Sequence, residues 1–175
     1  MMPGMATRTA SQTKTTAEVA RSYFEAADRH DLDAMEAHYE PSGGGPIHGL
    51  VDLKVGGNYR EWFGNLFRSF PDLKFEILDV VAEGEKAAVH YRLTGTFDGD
   101  ARFEEMEPNG ASADIQGCDL LTIRDGRIVD NQAFTSGTEI ARQLGALPPQ
   151  GSFGERAMTG ALNLKTRAAG MLHRD

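Results

Sequence analysis

A single cysteine, Cys118, among 175 residues excludes an internal disulfide and leaves no thiolate pair for a metal cluster. Long apolar runs are missing as well. None approaches the roughly 20 residues that a bilayer-spanning helix requires, and the N-terminal MMPGMATRTASQTKTT lacks the apolar stretch of a secretory signal. Basic residues are the minority, 18 Lys and Arg against 26 Asp and Glu, for a net charge of −8. A phosphate-backbone binder needs a basic face, so nucleic acid is not an expected partner, and anionic lipid gains no support. The five histidines, His30, His38, His48, His90 and His173, show no HxxxH or HExxH pairing, so no zinc site is expected. The glycine triplet at 43–45 lacks the Lys-Ser/Thr that follows a phosphate loop. These absences leave a cytoplasmic protein with no membrane attachment as the expectation.

What remains is ordinary for a globular chain: 40% hydrophobic and 25% charged residues, enough for one domain with a real core. Residues 1–15 are rich in Thr, Ser and Ala without periodicity and read as a disordered tail. Thr15 or Thr16 caps a first helix, with Glu18 in its first turn and Val19, Tyr23, Ala26 and Ala27 on one face. Asp31 or Asp33 caps a second, short helix carrying Leu32, Met35 and Tyr39. Residues 40–46 (EPSGGGP) read as a loop, flexible enough for a lid or entrance. A short strand is expected over 47–55. A long helix follows from Asn58 to Phe70, with Trp62, Phe63, Leu66, Phe67 and Phe70 as an aromatic stripe that builds the core and shapes an aromatic-compatible cavity.

The remainder is strand-like: 73–82, 87–97, and a hairpin over 113–136 (ADIQGCDLLTIRDGRIVDNQAFTS) turning at Asp125-Gly126. A closing helix at 138–147 precedes Pro148 and Pro149, and the extension 149–175 allows a weak amphipathic helix. Helices followed by a meander predict an α+β domain over 16–148, three helices packed on a curved antiparallel sheet with an apolar pocket.

Alternation along the hairpin's first strand puts Ile115, Gly117, Asp119, Leu121 and Ile123 on one face. Asp119 thus shares a core-facing surface with aliphatic residues. A bare charge there is costly, so its carboxyl must be paired, hydrogen-bonded or raised in pKa. It is either a general acid/base or a structural carboxylate bonded to a backbone amide or an Arg. His48, on the strand after the glycine triplet, is either a plain rim histidine or a pocket residue. Asn131 and Tyr23 are placed to hydrogen-bond a substrate carbonyl, or else serve as wall residues. Trp62 and Phe67 complete the expected substrate-binding set. The face of His90 depends on register: with Val89, Tyr91 and Leu93 inward, it points out. Cys118, opposite Asp119, reads as an inert thiol.

YFEAADRHDLDAM in the first helices, FPDL at the end of the aromatic helix, VVAEGEKAAVHYRLTGTF, the PNG turn and the IRDGRIVDNQAF hairpin come in an order that resembles the SnoaL-like polyketide cyclase (ester cyclase) branch of the NTF2-like superfamily. The resemblance implies a cone-shaped α+β fold, usually dimeric, with a deep apolar pocket. It makes His48 a pocket residue that pairs with Asp119 as base and orienter. It also implies metal- and cofactor-free acid/base chemistry, an aldol-type cyclisation or isomerisation of a small aromatic or polyketide-like metabolite in secondary metabolism such as antibiotic biosynthesis. In those cyclases a pocket histidine precedes the turn's Asp-Gly by six residues, where this chain has Asp119. The catalytic aspartate follows the hairpin isoleucine by five, where Ile128 leads to Ala133, and the aromatic before it is Gln132. An alanine cannot carry a proton, so Asp119 must replace that acid if the chemistry persists. The alternatives are a SnoaL-like hydroxylase or oxygenation partner, or a non-catalytic dimer that binds hydrophobic ligands.

Overall fold

The computed structural model describes residues 14–172. His173 and residues 1–13 of the expected N-terminal tail lie outside it. Helix α1 (Thr16–Asp28) begins at a capping box. The Thr15 hydroxyl accepts from the Glu18 N–H, and the Glu18 carboxylate accepts from the Thr15 N–H at 2.7 Å. Two donors that the first turn leaves without helical partners are thereby satisfied. Its buried stripe includes Val19, Tyr23, Phe24 and Ala27. Asp31 caps the short helix α2 (Leu32–Ala37), its Oδ1 accepting from the Ala34 N–H.

The next segment departs from expectation. Tyr39 does not sit on the second helix, and 40–46 is not a loop: both belong to strand β1 (Tyr39–Ile47). The chain then turns at 48–50 and returns as β2 (Val51–Lys54), so the strand expected over 47–55 is two pieces joined by a turn. The glycines are there for proximity. A Cβ on Gly44 would lie 2.1 Å from the Leu53 carbonyl oxygen. One on Gly45, whose φ is +147°, would lie 2.1 Å from that of Asn131. Only residues without a side chain let β1 slot between its two neighbours.

Helix α3 (Tyr59–Ser69) carries the aromatic stripe. Strands β3 (Lys74–Glu83), β4 (Lys86–Phe97), β5 (Ala111–Arg124) and β6 (Arg127–Thr135) form the meander. Asp125 and Gly126, at φ 49° and 75°, give the β5–β6 hairpin its tight turn. The sheet is six-stranded, curved and unclosed, in the order β2-β1-β6-β5-β4-β3. It is mixed rather than antiparallel, because β1 pairs parallel to β6. That pairing requires a long crossover, which α3 and the meander supply.

Helix α1 lies on β3 and β4, and α4 (Gly137–Gln143), capped by Ser136, lies on β5. Phe24, Met35, Tyr59, Phe97, Leu121 and Ile128 fill the space between helices and sheet. A fifth helix, α5 (Phe153–Leu172), extends beyond the core, tied to α4 by an Arg142–Glu155 ion pair at 2.5 Å. The described residues thus hold five helices, three before the meander and two after it. The β4–β5 register sets Val89 opposite Asp119 and Tyr91 opposite Gly117. Val89 and Tyr91 are buried, while His90 points out and bonds Gln116 at 2.9 Å.

Candidate active site

Asp119 sits at the middle of β5, facing the helices, with only 5% of its surface exposed. Two side chains hold its carboxylate. The Tyr91 hydroxyl donates to Oδ1 at 2.9 Å, and Asn131 Nδ2 donates to Oδ2 at 2.9 Å. Tyr91 reaches it because Gly117 has no side chain: a Cβ there would lie 2.6 Å from the Tyr91 hydroxyl oxygen. Neither a backbone amide nor an Arg is bonded to this carboxylate among the described residues. Burial pushes its pKa up to about 6, and the two donated hydrogen bonds hold it from rising further. Burial, and then the neighbouring Asp119 charge, raises Tyr91 far above the ordinary phenol range, so it stays a neutral donor.

Asn131 continues the polar chain. Its amide also donates to the Tyr39 hydroxyl at 3.3 Å, Tyr39 donates to Tyr23 at 3.4 Å, and Tyr23 and Tyr59 share a bond at 3.0 Å. Burial raises all three phenols, so each remains protonated. Two polar atoms beside this chain, Asn131 Oδ1 and Thr135 Oγ1, are buried without a partner among the described residues.

These groups border a cavity of about 110 Å³ between α3 and the sheet. Its walls are mainly apolar, with Trp62, Phe63, Leu66 and Phe70 from α3 and Leu93 and Ile115 from the sheet. The volume exceeds what a single buried water needs. Among the described residues that line it, Asp119 is the one carboxylate. Among the described residues generally, no three His, Cys, Asp or Glu side chains converge as a metal site would require.

Asp119, Asn131, Tyr23 and Trp62 thus meet at one cavity. Phe67 does not join them: one helical position round, it is buried against His30, ring centroids 4.1 Å apart and stacked. His48 does not pair with Asp119. Because β1 runs on through Ile47, His48 falls in the exposed turn and stacks on Phe134, centroids 4.3 Å apart, on the outer side of the sheet. Asn131 and Tyr23 reach the cavity with chemistry different from that expected. Both Asn131 donors are engaged, which leaves its carbonyl oxygen free, and Tyr23 lies inside the phenol chain.

The sequence reading missed Tyr91, Tyr39 and Tyr59 as site residues. Alternation sets Tyr91 inward in one of the two registers open to its strand, and the observed register places it there, opposite the small Gly117. Asp119 and Ala133 are register partners on adjacent strands. Their Cβ atoms are therefore roughly 5 Å apart. The carboxylate emerges beside the alanine that stands where the resemblance places an acid.

The profile of the SnoaL-like domain matches residues 20–131. No curated protein matches the sequence. Among solved structures, AclR from Streptomyces galilaeus, to which a hydroxylase role is ascribed, superposes with a TM-score of 0.68 at 19% identity, covering 91% of this chain and 98% of its own. A protein from a Jannaschia species, to which a SnoaL-like polyketide cyclase role is ascribed, gives 0.68 at 23% identity, covering 81% and 99%. An NTF2-like protein of Burkholderia thailandensis gives 0.63 at 20%, covering 74% and 97%. An α+β sheet folded over helices around an apolar pocket is the NTF2-like architecture. Within it, the chain belongs to the SnoaL-like family.

Proposed function

We propose that this protein is an acid/base enzyme that moves a proton at a carbon beside a carbonyl group in a small, largely apolar ring metabolite. The observation that carries this reading is Asp119, a buried carboxylate with a proton affinity near neutral in an otherwise apolar cavity. As base, its carboxylate takes the proton and the C–H electron pair moves onto the carbonyl oxygen as an enolate. As the conjugate acid it returns the proton, either to another carbon of the substrate or to the oxygen formed when the enolate closes a ring. Tyr91 and Asn131 aim the carboxylate and keep it in use near pH 6. Cyclisation and isomerisation of a polyketide-like or aromatic substrate share these steps and need no metal or organic cofactor.

A homodimer is part of the proposal. Leu78, Val81, Leu120 and Phe134 lie exposed on the sheet, and a second copy is the simplest cover for such a surface. The test of the chemistry is hydrogen–deuterium exchange at the α-carbon of 2-tetralone in D2O, followed by NMR. Exchange above the buffer rate that falls at least about a hundredfold in Asp119→Asn supports the reading. Equal exchange by both proteins contradicts it. The role ascribed to AclR suggests a hydroxylase reading, which requires oxygen. Exchange that persists under argon separates the two.

A further inference from the structure

Asn131 meets Asp119 with a side chain whose two ends are chemically opposite. An amide set with its nitrogen toward a carboxyl group favours the ionised form, because the N–H donates to a carboxylate. Set with its oxygen there, it favours the protonated form, whose O–H needs an acceptor. Asp119 does not fix the amide by itself, since each orientation suits one of its two states. Whatever holds the amide therefore selects the state of the carboxyl.

Tyr39 supplies that constraint. Asn131 Nδ2 lies 2.9 Å from Asp119 Oδ2 and 3.3 Å from the Tyr39 hydroxyl oxygen, and donates to both. The Tyr39 proton is committed elsewhere, donated to Tyr23 at 3.4 Å, so Tyr39 turns only lone pairs toward Asn131. Turning the amide over would set its oxygen against those lone pairs. Tyr39 and Tyr23 are each 3% exposed and Asn131 8%, so bulk water does not soften this repulsion. Edge contacts with the Tyr23 and Tyr59 rings, centroids 5.5 and 5.3 Å away, hold the Tyr39 ring in place. The three residues come from the adjacent strands β1, β6 and β5, so the chain crosses the sheet.

We infer that Tyr39 is a positioning residue: its hydroxyl, with the proton drawn to Tyr23, holds the Asn131 N–H groups toward Asp119 and keeps that carboxyl in its proton-accepting form. The catalytic meaning of this rests on the acid/base reading proposed above, but the effect on the carboxyl does not. The other ionisable groups that act on Asp119 or on the chain leave it undisturbed. Tyr91 on β4, Tyr23 on α1, Tyr59 on α3 and Cys118 on the opposite face of β5 are all raised, first by burial, and stay neutral. Glu36 on α2 acts on Tyr59, and the His38 ring meets Tyr23 while bonding Ser22 and the Ala34 carbonyl.

The carboxyl 13C titration of Asp119 in the full chain tests the inference. Tyr39→Phe keeps the ring and removes the oxygen, so the midpoint is predicted to rise by about half a pH unit or more. Tyr23→Phe leaves Tyr39 in place but frees its proton to turn toward Asn131, and is predicted to raise the midpoint as well. In an Asn131→Ala background, Tyr39→Phe is predicted to add no shift, because Tyr39 acts only through the amide. An unmoved midpoint in Tyr39→Phe overturns the inference, and so does a shift of equal size in the Asn131→Ala background. Should Tyr39→Phe fail to fold, an unmoved midpoint in Tyr23→Phe overturns it instead. An unmoved midpoint beside 2-tetralone exchange that depends on Asp119 overturns this inference alone. A raised midpoint beside exchange that ignores Asp119 supports the positioning role and removes only the catalytic reading.

Discussion

Asp119 governs what a pH titration of this protein should reveal. A free aspartate titrates near 3.9, whereas burial raises this one to about 6. If the ionised form is the base, activity rises with pH through about 6 and levels off above it. Tyr91→Phe removes a donor that stabilises the ionised carboxylate, so the midpoint of the rate profile moves to higher pH. A midpoint that stays in place shows that Tyr91 does not tune the group. The same shift acts on stability, with the opposite sign from a salt-bridged aspartate. Between roughly pH 4 and 6 the folded chain keeps a proton that the unfolded chain has lost, so stability falls as pH rises through this window. The loss is on the order of 3 kcal/mol by pH 7. Urea unfolding of the wild type across this range should show it relative to Asp119→Asn, which lacks the titration. Parallel curves for the two proteins would contradict it.

Strand β1 is the element that separates what could be read in the sequence from what could not. Periodicity exposed α1 and its cap, α3, and the β5–β6 hairpin, because each is stabilised by a local pattern: a capping box, an aromatic stripe, an Asp-Gly turn. Alternation placed Asp119 on the inner face and set Asn131 on the face of Ala133, which the resemblance assigns to the pocket. The signals failed where tertiary contact overrides local preference. Three consecutive glycines have high loop propensity, yet Gly44 and Gly45 lie in a strand whose neighbours approach too closely for any side chain. Misplacing that strand displaced His48 into the site and left Tyr39 out of it. Phe67 was misassigned for a different reason, since an aromatic stripe wider than the cavity does not reveal which rings meet it. Gly45→Ala should therefore destabilise the fold by more than about 3 kcal/mol, or prevent folding, through backbone strain and the clash with the Asn131 carbonyl. Gly84→Ala, in an open turn at φ 56°, should cost only about 1 kcal/mol. Similar losses for the two variants in urea unfolding would refute the close-approach account.

At the scale of the molecule, the sheet divides the work between its faces. The helix-covered face holds the cavity, and the other exposes Leu120 and Phe134. Leu120→Glu should give a monomer by sedimentation equilibrium while leaving 2-tetralone exchange intact, because Leu120 and Asp119 point to opposite sides of β5. A wild-type protein that sediments as a monomer would remove the proposed role of that surface. The fold, the cavity and the hydrogen-bond chain converge on one carboxyl group, and its proton affinity can be read without knowing the substrate. The decisive measurement is the titration of Asp119 by carboxyl 13C NMR, assigned by its disappearance in Asp119→Asn. A midpoint near 6 is predicted, and one at or below the ordinary 3.9 would contradict the account.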